Sequence, residues 1–145
     1  MIVKTILKQK TSNEVATTSG DQSIEEAAKL LHHHHIGAVV VTGADCAIAG
    51  ILSERDIVRG MALQGDRVEK LKVSDLMTTN VLVCSPNDSL EKLMAVMTTN
   101  HIRHLPVVEN DRMVGIITIG DVVKARLDDT TMQVDSLREY VMAAR

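Results

Sequence analysis

Apolar residues recur at two spacings along this chain. Ile24, Ala27, Ala28 and Leu31 follow the i, i+3, i+4, i+7 rhythm of one helix face, and Leu90, Leu93, Met94 and Met97 repeat it. Ser23 and Ser89 stand just before these stretches, where a hydroxyl caps a helix start. A run rich in β-branched residues follows each helix, Gly37 to Thr42 and Leu105 to Val108. Turn residues come next (Gly43-Ala44-Asp45 and Glu109-Asn110-Asp111), then a second apolar strand ending at Leu52 or Ile117. A second helix is predicted to start at Ser53 or Thr118, and short strands to precede the first helices around Val15–Thr17 and Val81–Val83. Each half thus reads strand, helix, strand, strand, helix.

The two halves are copies. Shifted by 66 residues, Val15, Ser19, Ser23, Glu25, His35, Ile36, Val41 and Asp45 fall on identical residues at 81, 85, 89, 91, 101, 102, 107 and 111. After one loop residue is lost, Gly50, Ile51, Asp56 and Val58 match Gly115, Ile116, Asp121 and Val123 at a shift of 65. Such self-similarity is the signature of a repeat. One copy of about 55 residues is marginal for independent stability, so the two copies are expected to pack sheet against sheet over a joint core. The division expected is 1–69, an N-terminal helix with repeat 1, and 70–145, a connector, repeat 2 and a C-terminal helix. Val3, Ile6 and Leu7 stripe the first flanking helix, and Val134, Leu137 and Val141 the last.

Composition narrows the function. The chain has 145 residues, 16 basic against 19 acidic, no Trp or Phe and a single Tyr, Tyr140. A net charge of −3 argues against a broad nucleic-acid surface, and base-stacking platforms need aromatic faces that are missing. No apolar run approaches the ~20 residues that span a bilayer. The lysine-interleaved N-terminus does not read as a signal peptide. Cys46 and Cys84 lack CxxC spacing and are too few for a disulfide framework, so a cytoplasmic protein is expected.

One motif occurs in both copies: Gly50-Ile51-Leu52-Ser53-Glu54-Arg55-Asp56 and Gly115-Ile116-Ile117-Thr118-Ile119-Gly120-Asp121. A strand gives way to a helix at the hydroxyl residue, where free N–H groups and the helix dipole attract an anion. A carboxylate one turn on can accept hydrogen bonds from a vicinal diol such as ribose. Together these describe a nucleotide. A hydroxyl followed three residues later by an acid is equally a capping box.

With that motif in place, the chain resembles a pair of cystathionine β-synthase (CBS) domains, a Bateman module. Ser53-Glu54-Arg55-Asp56-Ile57-Val58-Arg59, Asp75-Leu76-Met77-Thr78 and Ile102-Arg103-His104-Leu105-Pro106-Val107-Val108 add to the likeness, which covers nearly the whole chain and is closest to small stand-alone bacterial pairs. The resemblance implies an α+β fold of two repeats related by a pseudo-two-fold axis, with short N- and C-terminal helices. It implies regulation rather than catalysis, through adenosine ligands (AMP, ADP, ATP or NAD, ahead of S-adenosylmethionine) held between the repeats, with no catalytic cofactor. By family position, Asp56 and Asp121 would hold ribose, with Ser53 and Thr118 beside them. Arg103 and His104 would meet phosphate, and Arg55, with Arg59, would serve where copy one has Gly37 and Ala38. Adenine would lie among Val15, Thr17, Ile36 and Ala38 in the first site, and among Val81, Val83, Ile102 and Pro106 in the second.

The same resemblance implies a homodimer acting on an unidentified protein partner; by charge, aromatic content and the lack of a long apolar run, no nucleic acid and no membrane are expected. An interaction scaffold with vestigial nucleotide sites is the alternative. No nucleophile pair, carboxylate dyad or P-loop suggests an enzyme. The run His32 to His35 could place two imidazoles on one face but lacks acidic or Cys partners, so no metal site is expected. His35 aligns with His101, pointing to a shared structural role. Met94 and Met97 read as core filler.

Overall fold

The computed structural model describes residues 1–143. Contacts divide it into two units: one is Glu14–Leu82, the other joins Met1–Asn13 to the chain from Val83 onward. These lines differ from a split after residue 69. Helix α1 (Val3–Gln9) buries Val3, Ile6 and Leu7 in the core of the second repeat. The connector stays with the first repeat, where α4 (below) buries Val73 and Leu76.

In the first unit, β1 (Thr17–Ser19) is followed by α2 (Ile24–His34), β2 (Ala38–Thr42), a short 3-10 turn (Ala44–Cys46), β3 (Ile48–Ser53) and α3 (Glu54–Gln64). A second 3-10 stretch (Gly65–Lys70) leads to α4 (Val73–Leu76). The sheet order is β1-β2-β3, with β1 parallel and β3 antiparallel to β2. The Ser23 hydroxyl accepts from the Glu26 N–H at 3.2 Å, capping α2 as its sequence predicts. The core gathers Ile24, Ala27, Leu31, Val39, Val41, Leu52, Val68, Val73 and Leu76.

The other unit repeats the plan with α5 (Leu90–Asn100), β4 (His104–Glu109), β5 (Arg112–Thr118) and α6 (Ile119–Ala143). Ser89 caps α5 through the Lys92 N–H at 3.1 Å. The hairpins match in register: Ala38 pairs Ser53 and Val41 pairs Gly50, while His104 pairs Thr118 and Val107 pairs Gly115. Both shift register at the same place, Val41/Thr42 and Val107/Val108. Asn110 and Asp111, both at positive φ (51° and 61°), form the two-residue loop between β4 and β5. Leu90, Leu93, Leu105, Val107, Ile117 and Val122 join the α1 residues in this core.

Two expected elements differ. No strand forms over Val81–Val83, where a single parallel bridge joins Cys84 to Val107. In the first unit the Val40 N–H donates to the Ala16 carbonyl at 3.3 Å. Its counterpart is Pro106, which has no N–H to give, so the parallel ladder cannot start one step earlier. Only the Cys84 N–H to Pro106 O and Val108 N–H to Cys84 O bonds, both 2.9 Å, remain. The C-terminal helix is also not separate: α6 runs 25 residues without a break. No Gly or Pro interrupts Asp121 to Ala143, whereas α3 stops at Gly65, at φ 62°.

Candidate functional site

Each motif builds the same knot of hydrogen bonds where strand meets helix. At the end of β3, the Ser53 N–H and hydroxyl donate to Asp56 Oδ2 (2.9 and 3.1 Å), and the Asp56 N–H donates back to Ser53 Oγ at 3.3 Å. At the end of β5, Thr118 and Asp121 repeat this at 2.9, 3.1 and 3.2 Å. This is a capping box. The Glu54 and Ile119 N–H groups donate to the Gly37 and Arg103 carbonyls at 2.9 Å. The helix starts therefore spend N–H groups on the protein itself that were expected to face an anion.

The motif glycines have a packing reason. A Cβ at Gly50 would stand 2.7 Å from Met77 Sδ and 2.8 Å from the Thr78 carbonyl oxygen, while one at Gly115 would stand 2.8 Å from a Leu7 methyl. Different neighbours, the connector and α1, thus press on equivalent strands. Met77 accordingly packs against the core.

The two carboxylates then diverge. Asp56 is 4% exposed. Its Oδ1 meets an Arg59 guanidinium nitrogen at 3.2 Å and accepts from the Thr78 hydroxyl at 3.5 Å, so both oxygens are engaged. Asp121 keeps 21% of its side chain exposed. Its ion pair comes from outside the repeat: Lys10 Nζ, just past α1, lies 3.0 Å from Oδ2 and donates to the Ile116 carbonyl at 2.9 Å. None of these contacts uses Oδ1. Burial pushes the Asp121 carboxyl up, but the Thr118 N–H, the Lys10 ammonium and the Thr118 hydroxyl together hold it below the usual carboxylate range.

A cleft of about 280 Å³ opens beside Asp121, wholly within this unit. Ile6, Gln9, Lys10, Thr11, Ser12, Asp121, Lys124 and Ala125 line it. Arg103 and His104 are not among them; Arg103 is exposed at the mouth of β4 and His104 pairs with Thr118 in the sheet. Lys10 pairs with this carboxylate and Lys124 lines the same cleft; Lys10 is beyond reach of the internal repeat because α1 has no counterpart in it.

The expected adenine contacts differ in burial. Pro106 and Ala38 are buried in their strands; Val15, Val81 and Ile102 are half-buried, and Thr17 and Val83 exposed. Val81 belongs to the first unit and Val83 to the other. Ile36 lines a different cleft, of about 470 Å³, with His32, His35, Glu54, Ile57 and Val58. Arg55 is exposed on α3. Among the described residues, no group of three or more His, Cys, Asp or Glu could hold a metal. His35 and His101 do share a role: both end a helix in the left-handed conformation, at φ 53° and 54°. Burial, and then the Asp88 carboxylate, push the Cys84 thiol up to about 12, leaving it a core side chain rather than a reactive one. Cys46 is exposed in its turn. No helix of the described residues is long and apolar enough to cross a membrane.

Comparison with known proteins agrees with this layout. The family model for the CBS domain matches residues 3–63 and 73–128. A solved CBS-domain protein from Agrobacterium tumefaciens, ATU1752, is 50% identical, with a TM-score of 0.83 over 86% of this chain and 92% of its own. The mitochondrial CBS domain-containing protein CBSX3 of Arabidopsis thaliana is 35% identical over 83% of this chain, which spans 61% of that relative's length. The CBS pair of MJ0100, solved in complex with 5′-methylthioadenosine and S-adenosyl-L-methionine, is 28% identical with a TM-score of 0.75, over 86% of this chain and 98% of its own.

Proposed function

We propose, from the premise that this chain belongs to the CBS-domain family, that it is a regulatory module which binds an adenosine-containing ligand at Asp121 and passes its occupancy to a partner protein. The observation that carries this reading is the half-open Asp121 carboxylate beside a cleft, its Oδ1 outside the capping box. A carboxylate so placed can accept two ribose hydroxyls while Oδ2 stays bound to Thr118. The solved MJ0100 pair, with its two adenosine-type ligands, supports the ligand class. Asp56 supports a different role. Its burial and the Arg59 contact make it a structural cap in this conformation, and a ligand there would have to displace Arg59 first.

The module is a cytoplasmic homodimer in this reading, with AMP, ADP, ATP or NAD as ligand and no chemistry of its own. Calorimetric titration of the full chain against these nucleotides and S-adenosylmethionine tests it. Micromolar binding, about −8 kcal/mol, is expected for at least one. Asp121→Ala should weaken it by about 1.5–3 kcal/mol, the range for a hydrogen bond to a charged group. No binding by any of them at millimolar concentration would refute the reading.

A further inference from the structure

The charge around Asp121 is unlike that around Asp56. In the first unit, Arg59 turns back onto its own carboxylate at 3.2 Å. The residue at the same place in the second repeat is Lys124, and it does not take up that ion pair. Lys10 takes it instead, arriving from α1, so that Lys124 is left lining the cleft. Two lysines and one carboxylate therefore line the cleft, with no other charged side chain lining it among the described residues. Thr11 and Ser12 add hydroxyls and backbone to the same wall. A cleft with one excess positive charge favours an anion and disfavours a cation.

We propose that Lys10 and Lys124 make this cleft an anion subsite, so that the Asp121 site selects an adenosine bearing a phosphate over an uncharged or cationic adenosine. The inference rests on the ribose reading of Asp121. A nucleotide's 5′-phosphate lies at the far end of the ribose from the hydroxyls that the carboxylate would hold, and in this proposal it enters the cleft that Lys10 and Lys124 line. Lys10 bridges both parts: its ammonium has three donors, two of them used on Asp121 and the Ile116 carbonyl. The third is available to a phosphate oxygen without breaking the pair. A sulfonium at the same end of the ligand would meet the two ammonium groups and be repelled. Phosphate selection here thus comes from the residue just past α1 and from the position that holds an arginine in the other copy.

The test compares two ligands that differ at one end, AMP and 5′-methylthioadenosine, by calorimetric titration of the full chain. The variants are Lys10→Gln, Lys124→Gln and Asp121→Asn. Wild type should bind AMP at least about tenfold more tightly than methylthioadenosine, with the margin shrinking at high salt. Lys124→Gln should cut AMP affinity about tenfold and change methylthioadenosine by less than about twofold. Lys10→Gln should do the same, and because it also loosens the end of α1, Lys124→Gln is the variant that decides. Equal losses for both ligands, or wild-type binding of methylthioadenosine as tight as AMP, would overturn the anion subsite alone. Asp121→Asn that weakens neither ligand would instead overturn the ribose reading beneath it, and the subsite with it.

Discussion

Lys10 Nζ stands 3.0 Å from Asp121 Oδ2, a contact across 111 positions of sequence that ties the end of α1 to the start of α6. It makes the motif carboxylate of the second repeat a structural partner of the N-terminal helix as well as a candidate ligand group. The pair is largely shielded, with 21% of each side chain exposed, so it is screened less than a surface pair.

The first prediction concerns pH. The Asp121 carboxyl is held below its ordinary value in the folded chain, so its contribution to stability is present above the unfolded value of about 3.9 and is lost as pH falls through the lower folded one. Asp121→Asn should therefore cost about 1 kcal/mol at neutral pH, with the gap to wild type closing in acid. Urea unfolding at about pH 7, pH 4 and pH 2.5 reads this, and a gap independent of pH would show that the negative charge on Asp121, held by the Thr118 N–H and Lys10, contributes nothing.

The motif glycines give an ordered pair of effects. An alanine methyl at Gly50 meets the Thr78 carbonyl, which is backbone held by two bonds to Ile51 (2.8 and 2.9 Å) and cannot yield cheaply. At Gly115 the obstacle is one methyl of Leu7, which can rotate. Gly50→Ala should destabilise by about 2–3 kcal/mol and Gly115→Ala by about 1. Equal losses in thermal unfolding would contradict this account.

His35 holds a left-handed conformation, φ 53° and ψ 44°, that costs an L side chain roughly 1–2 kcal/mol and glycine almost nothing. His35→Gly should stabilise by about 0.5–1 kcal/mol after glycine's greater chain entropy is counted. His35→Val should destabilise by about 1 kcal/mol or more. A valine variant as stable as wild type would mean that the helix end has found another path.

Much of this was readable in the residues. The repeat predicts both hairpins, both serine caps and both capping boxes, because each depends on residues within a few positions of one another. What was not readable depends on distant partners or on one missing atom. Pro106 cancels the strand expected at Val81–Val83 because it lacks an N–H, an effect visible only once Val40 is seen to use its own. The helix-start N–H groups seemed open to an anion because the Gly37 and Arg103 carbonyls that take them come from another strand's edge. Lys10 could not be matched to Asp121 by any repeat argument. Arg103 and His104 stand out in the sequence as an adjacent basic pair, whereas the lysines lining the cleft are Lys10, just past α1, and Lys124 of α6.

The last prediction concerns α6. Within its 25 residues only Val122 and Ala125 are buried, and beyond Ala125 none of its described residues is. Yet Ile119, Val123, Leu127, Val134, Leu137 and Val141 recur three, four or seven residues apart along one side, exposed by 39%, 51%, 63%, 42%, 64% and 47%. An apolar stripe of this length in water is unfavourable, and the homodimer of the proposed reading supplies its cover from the same helix of a second copy. Covering one leucine contributes about 2 kcal/mol. Leu137→Asp should thus weaken the dimer at least about thirtyfold while leaving both cores intact, since Leu137 lies in neither. Light scattering across a concentration series measures this. A monomeric wild type at tens of micromolar (roughly the affinity such a stripe would exceed), or a variant that dimerises as well as wild type, would show that α6 does not carry the interface.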